Sequence, residues 1–414
     1  METLEHIRKS VLPNGLAVVT EHADFVRSAA IGVWVQGGSR DETTENNGIA
    51  HFMEHMVFKG TENRSPFEIA NTIESLGGNI NAFTGKELTC FYARVLDEHV
   101  PQAIEVLSDI ILHPLFLSRD IEREKSVVLE ELSDVEDTPS DLIHEFFITQ
   151  MFPNHPLGFN ILGTRRSIRR FSRKMIRDFT GRYYLPERMV ISVAGHIDHH
   201  RILEWVESAF EEFTPERSNS RNLAPPEPPD TGIKVYEDGK QQAHLVVGAR
   251  TFSYSNPRRY ALLVLNTLLS GGMSSRLFQN IREQYGFVYS IYSFMDFYTD
   301  DGLLGAYVGT ERSQLEFMRE RLIEELQKLS NKPVTEDEIQ KVKSQVKGSL
   351  VLSLENMFHR MNRLAKQDIY YNKFQTMDEF LARVEAVTAD DVRSLAAELF
   401  PSDRLVTSIL KPAE

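Results

Sequence analysis

His51, Glu54 and His55 interrupt the apolar run IAHFMEHMVF. Residues four apart on a helix lie one turn above each other on the same face. His51 and His55 can therefore bring their ring nitrogens to one metal ion, at about 2.0–2.1 Å each. Glu54 flanks the same face, where a carboxylate can accept the proton of a water that attacks a carbonyl. Two histidines and a glutamate are costly to bury in such a run unless they are paired or metal-bound. Cys90 is the single cysteine, which excludes an internal disulfide and a multi-cysteine zinc site. The expected ion is Zn2+, one per chain, although histidine and carboxylate sites also accept Mn and Co.

Catalytic zinc usually keeps three protein ligands and one open position. The third ligand must come from a second element, and the acidic segment EREKSVVLEEL offers candidates. Glu124 and Glu131 are seven apart, two turns along one helix face, while Glu130 points about a residue away. Either could reach the metal, with the other supporting a histidine ring.

The elements that must position these residues follow a repeated plan. In the first half the strand SAAIGVWVQGG precedes the histidine helix. A second helix has Ser65 as N-cap, Pro66 at its first position, Glu68 in a capping box and Gly77-Gly78 at its end. The extended hairpin NINAFTGKELTCFYARVL, two helices and the strand MVISVAGHID follow. The second half has AHLVVGARTF, a helical region from Pro257 to Tyr285, an extended pair, two long helices and RLVTSILKP. Aligning Ile121 with Ile339 places Lys125-Ser126 over Lys343-Ser344, Glu124 over Val342 and Glu131 over Ser349. The metal residues are thus present together in one half and absent together in the other. This pattern predicts an α+β protein of two homologous domains. We expect a catalytic zinc-binding domain over 1–213, a Pro- and Ser-rich linker over 214–231, and a non-metal-binding domain over 232–414.

Composition limits the function classes. The 414 residues carry a formal net charge of −14, with 41% hydrophobic and 26% charged residues. That is an ordinary globular composition, and its acidity disfavours nucleic acid as a partner. No apolar stretch is long enough to span a membrane. The first residues show no secretion or transit pattern, so a cytoplasmic location is expected.

The chain resembles the pitrilysin family of zinc metallopeptidases, the inverzincins with an HxxEH motif. Closest is the branch of mitochondrial processing peptidase and its bacterial single-subunit relatives. GGSRDE, GIAHFMEHMVFKGT, GGNINAFTGKELTCFYARVL, the acidic helix, YYLPERMVISVAGHID, SSRLFQNIREQYGFVYSIYSF and MNRLAKQDIYY carry the resemblance. Arg188 in the YYLPERM segment departs from the small polar residue often found there. By this resemblance His51, His55 and Glu131 are metal ligands, Glu54 is the general base, and Glu124 supports a ligand. Arg282 and Tyr289 match a pair that completes the family's active site from the C-terminal domain. Asn81, Ala82 and Phe83 match an edge strand along which substrate lies as an added strand. The resemblance further implies two mainly antiparallel sheets packed with helices and enclosing an active-site chamber. It implies short or unfolded peptides as substrates, and a homodimer or a heterodimer with an inactive relative. Two rivals are a non-catalytic core subunit and a dedicated precursor-processing peptidase.

Overall fold

The computed structural model describes residues 6–213, 224–239, 241–332 and 334–413. Residues 214–223 of the expected linker lie outside these, and 224–231 run without regular structure. The described chain forms two compact units.

The first unit takes in the described residues of Met1–Ser133, Phe159–Leu223 and Leu352–Thr376. Its strands are β1 (Ile7–Val11), β2 (Ala17–His22), β3 (Ser28–Val35), β4 (Asn79–Thr84), β5 (Thr89–Leu96) and β6 (Met189–Gly195). They form one sheet in the order β1-β2-β6-β3-β5-β4. All neighbours are antiparallel except β2 and β6. Every residue of β3 after Ser28 is buried, as expected of a strand covered on both faces. One face packs on helices that include Ile49–Val57, Val100–Leu112 and His199–Ala209. The other face is covered by the helix Met357–Tyr371, whose Met361, Leu364 and Ala365 meet Ala17, Val19, Trp34 and Cys90. Gly32 permits that approach, since a Cβ there would stand 2.4 Å from the Met361 sulfur.

The second unit takes in the described residues of Asp134–Gly158, Ala224–Val351 and Met377–Glu414. Its strands are β7 (Gly232–Asp238), β8 (Gln242–Arg250), β9 (Val288–Phe297), β10 (Gly302–Glu311) and β11 (Val406–Pro412), in the order β7-β11-β8-β10-β9. Only the β7–β11 pair is parallel. One face packs on Arg259–Ser270, Leu315–Asn331, Glu336–Ser353 and Ala389–Leu399. The other face is covered by Pro139–Met151, whose Ile143, Phe147 and Met151 meet Val246, Leu303 and Val406.

Each unit is thus a mixed, mainly antiparallel sheet with helices, as the repeated plan predicts. The expected register also fits: Ile121 and Ile339 are both buried, as are Glu124 and Val342. The units depart from the contiguous stretches 1–213 and 232–414 in one respect. Pro139–Met151 belongs to the second sheet, and Met357–Tyr371 to the first. Apolar periodicity shows that a helix has a face to bury, but it does not say which sheet will receive it. Among the described residues, no helix is long and apolar enough to cross a membrane.

Candidate metal centre

The helix Ile49–Val57 buries Ile49, Ala50, Phe52, Met53, Met56 and Val57 on its core side. This leaves His51, Glu54 and His55 half-buried on the other side. Its entry is tightly built. Gly48 sits at φ 91°, and a Cβ there would stand 2.4 Å from the Leu162 carbonyl oxygen. The buried Glu42 accepts from the Gly48 N–H at 2.7 Å, the Ala50 N–H at 2.8 Å and the Asn47 side-chain amide at 2.9 Å. These bonds satisfy donors that a helix N-terminus otherwise leaves open. Burial nevertheless pushes the Glu42 carboxyl up to about 8, against the pull of those donors and of Lys86.

The His51 and His55 rings lie 4.6 Å apart between centroids. The long helix Ser118–Asp137 supplies the two carboxylates. Glu131 Oε2 lies 3.7 Å from His55 Nε2 and 3.9 Å from His51 Nε2. It is buried, with no hydrogen-bond partner among the described residues. One ligand atom from each of the three residues falls within 4.8 Å of the others. Ligands about 2.0–2.2 Å from a tetrahedral ion stand roughly 3.3–3.6 Å apart, so this nitrogen–nitrogen–oxygen set fits a zinc ion with little adjustment. Glu130 is exposed and takes no place in the cluster.

Glu124 is almost fully buried and accepts from His55 Nδ1 at 2.8 Å and from Lys59 Nζ at 2.8 Å. With its proton held on Nδ1, the neutral His55 ring presents a bare Nε2 lone pair to the cluster. Burial opposes charge on both partners. Even so, the hydrogen bond to Glu124 and the charges of Glu131, Glu124 and Glu54 hold His55 above its usual value, and the His55 and Lys59 bonds hold Glu124 below its own. His51 has no such partner; burial and the neighbouring His55 push it down to about 3, so it stays neutral. Glu54 is raised, chiefly by burial, against the pull of a hydrogen bond from the Thr84 hydroxyl at 2.5 Å. A carboxylate raised toward neutrality is suited to accepting a proton.

Thr84 ends β4, which pairs only with β5 among the described residues and so forms an edge of the sheet. Asn81, Ala82 and Phe83 lie on this edge. The Asn81 side chain accepts from the Ala82 N–H at 2.8 Å. The Phe83 ring meets Trp34 edge-on, at 5.5 Å between centroids. Its side chain is thus occupied with the core, while Asn81 is exposed on this edge. Cys90 is buried, and burial pushes its thiol up, in keeping with a core thiol.

Arg282 and Tyr289 belong to the second unit. Arg282 lies on the π-helical turn Phe278–Glu283, its guanidinium 4.8 Å from the Phe278 ring centroid. Tyr289 is 55% exposed on β9 and donates to Glu311 Oε1 at 3.2 Å. The first unit therefore gathers His51, Glu54, His55, Glu124 and Glu131 beside β4. Sequence reasoning missed Glu42, Lys59 and Thr84, which hold the helix entry, Glu124 and Glu54. GGSRDE contains Glu42, but nothing in the string marks its carboxylate as buried.

Comparison with known proteins identifies the family. Residues 17–165 match the family profile "Insulinase (Peptidase family M16)", and residues 170–346 match "Peptidase M16 inactive domain". The uncharacterised zinc protease YmxG of Bacillus subtilis is 42% identical over 96% of this chain and 96% of its own. An uncharacterised zinc protease of Streptomyces coelicolor is 39% identical over 95% of this chain and 87% of its own. The fold resembles a protease from Helicobacter pylori, with a TM-score of 0.90, 22% identity and coverage of 98% of this chain and 99% of that one. It also resembles a Pseudomonas fluorescens structure described as a peptidase M16 inactive domain, with a TM-score of 0.91, 18% identity and coverage of 99% and 98%.

Proposed function

Because the chain belongs to the M16 family of zinc metallopeptidases, we propose that it is a zinc-dependent endopeptidase whose reaction centre is built on His51, Glu54, His55 and Glu131. The observation that carries this reading is the convergence of two histidine nitrogens and an unpartnered Glu131 oxygen beside a carboxylate that does not join them. His51, His55 and Glu131 would hold one zinc ion per chain. When bound, zinc supplies Lewis acidity toward a peptide carbonyl and lowers the pKa of water.

The remaining steps belong to side chains. Glu54 accepts a proton from the attacking water as the new C–O bond forms, and then passes it to the departing amine as the peptide C–N bond breaks. Thr84 holds one Glu54 oxygen, leaving the other for that water. Glu124 keeps the His55 proton on Nδ1. The free edge of β4 suits an extended substrate bound through its backbone, which favours short or unfolded peptides and broad sequence tolerance. Arg282 and Tyr289 are assigned to the carbonyl oxygen, where a guanidinium and a phenol stabilise developing negative charge. The reading includes a closed chamber and a dimer, either of identical chains or with an inactive relative; sedimentation at working concentration giving only monomer would count against the dimer.

A second reading, a non-catalytic subunit, draws on the inactive-domain match over residues 170–346. That match lies outside His51, Glu54, His55 and Glu131. A dedicated precursor-processing peptidase would share the chemistry and leave most unrelated peptides intact.

Digestion of an unstructured basic peptide by wild type and Glu54→Gln, with zinc content measured on both, tests the proposal. We expect the variant to keep its zinc and lose cleavage. A wild type that binds no added zinc and cleaves nothing would favour the subunit reading.

A further inference from the structure

Away from Glu54, the first unit carries a second concentration of imidazoles. A cavity of about 530 Å³ is lined by His6, His22, His196 and His199 together with Asp97 and Trp205, among others. The sheet itself sets three of these rings in a row. The β1–β2 register pairs Ile7 with Glu21 and so places His6 opposite His22. The parallel β2–β6 register pairs His22 with Gly195, the residue before His196. Successive ring centroids along the row are 6.3 Å and 5.8 Å apart.

The partners of these rings are the informative feature. His22 Nδ1 lies 2.7 Å from the Ile197 carbonyl oxygen, which can only accept. His196 Nδ1 lies 2.6 Å from Asp97 Oδ2, and Asp97 is itself held by Arg27 at 2.9 Å. Both rings therefore carry a proton on Nδ1 and, when neutral, a bare lone pair on Nε2. A carbonyl or a carboxylate behind one ring nitrogen is the arrangement that orients histidines as metal ligands. His199 is different: Ser10 and Thr20 occupy both of its nitrogens, at 2.9 Å and 2.8 Å, so it serves as wall.

We propose that His22 and His196, with His6 as third donor, form a second metal site that takes a late first-row divalent ion such as Zn2+, Ni2+ or Cu2+. Neutral imidazoles suit these ions and not Mg2+ or Ca2+. The site is not closed as it stands. The His22 and His196 rings are 5.8 Å apart, against 4.6 Å for His51 and His55. All three side chains are exposed, and closing on an ion means shifting rings already held by Ile197 and Asp97, so affinity below that of the His51 centre is expected. The two centres are separate. Thr84, which contacts Glu54, pairs with Thr89 at the start of β5, whereas Asp97 follows its end. Eight residues at about 3.3 Å each set these ends roughly 25 Å apart.

Equilibrium dialysis of the full chain against Zn2+, and separately Ni2+, tests the site, with wild type, a His22→Ala/His196→Ala double variant and Asp97→Asn compared. The wild type should take up a second, weaker equivalent beyond the one held at His51. The double variant should lose that equivalent while keeping the first and its peptide cleavage, which also reports that it is folded. Asp97→Asn should weaken the second equivalent about 10–100-fold. A second equivalent that persists in the double variant, or that is missing from wild type, overturns the proposal. Neither result depends on whether the His51 centre is catalytic.

Discussion

Glu124 touches no reacting atom in this reading, yet its removal should be felt at the metal. Its Oε1 accepts from His55 Nδ1 and its Oε2 from Lys59, each at 2.8 Å, in an almost fully buried position. Glu124→Ala deletes a charge-assisted bond worth about 1.5–3 kcal/mol. It also frees the imidazole proton to sit on Nε2, the nitrogen that faces His51 and Glu131. Partners of this kind are worth about 10–100-fold in metal affinity. At about 1.36 kcal/mol per tenfold, that is roughly 1.4–2.7 kcal/mol, in line with the bond itself. Glu124→Gln keeps an oxygen for His55, but its amide then faces Lys59 donor to donor, so the amide variant should fall nearer the tenfold end. The assay is competition for zinc with a chromophoric chelator, run on wild type and both variants, with thermal unfolding of the metal-free proteins alongside. An alanine variant that binds zinc within about twofold of wild type would show that His55 needs no carboxylate behind it, against the magnitude expected for such partners.

Three further outcomes are expected. Thr84→Val should lower kcat with zinc content unchanged, and Thr84→Ser should restore most of it, because the hydroxyl holding Glu54 returns; equal losses in both variants would assign Thr84 to packing alone. Glu42 has its carboxyl raised by burial from an ordinary 4.5 to about 8. The fold then holds that proton more tightly than the unfolded chain, so the contribution is fully present below about pH 4.5 and is lost as pH rises through about 8. The Tm of wild type relative to Glu42→Gln should therefore fall across this window and level off above it, and a constant gap by calorimetry would contradict the assignment. Met361 is fully buried, with its sulfur 3.4 Å from Trp34 Nε1. Met361→Ala should cost about 2–5 kcal/mol, read as a lower midpoint in urea.

Much of the site was legible in the string because it obeys short-range rules. The four-residue spacing of His51 and His55 needs only helical geometry, and the seven-residue spacing of Glu124 and Glu131 only two turns. The helix Pro66–Glu74 begins where Ser65 and Glu68 predict, with both halves of the capping box formed. Spacing alone left Glu124 and Glu131 interchangeable. The structure separates them by their surroundings: Lys59 and His55 engage Glu124, while the Glu131 oxygen is unpartnered. Glu42 and Thr84 were illegible for another reason. A carboxylate in a loop reads as solvated until three donors and a buried setting are seen around it, and a strand-end threonine reads as β propensity. The exchange of Pro139–Met151 and Met357–Tyr371 between the units was illegible too, because pattern gives a helix its apolar face and tertiary packing chooses the partner.

The two traded helices have a consequence for the integrity of the chain. Each unit needs a segment encoded in the other half to cover one face of its sheet, so the molecule is swapped with itself. A protease cut between Phe213 and Ala224 would sever the chain without freeing either half. Expressed alone, residues 1–213 would leave Trp34, Cys90, Val19 and their neighbours without Met361 and Leu364, an apolar surface of the kind that drives association. Such a fragment should aggregate, or recover only when the complementary fragment is supplied. Any descendant of this fold that divides into two polypeptides would inherit obligate association, because neither product could complete its own core.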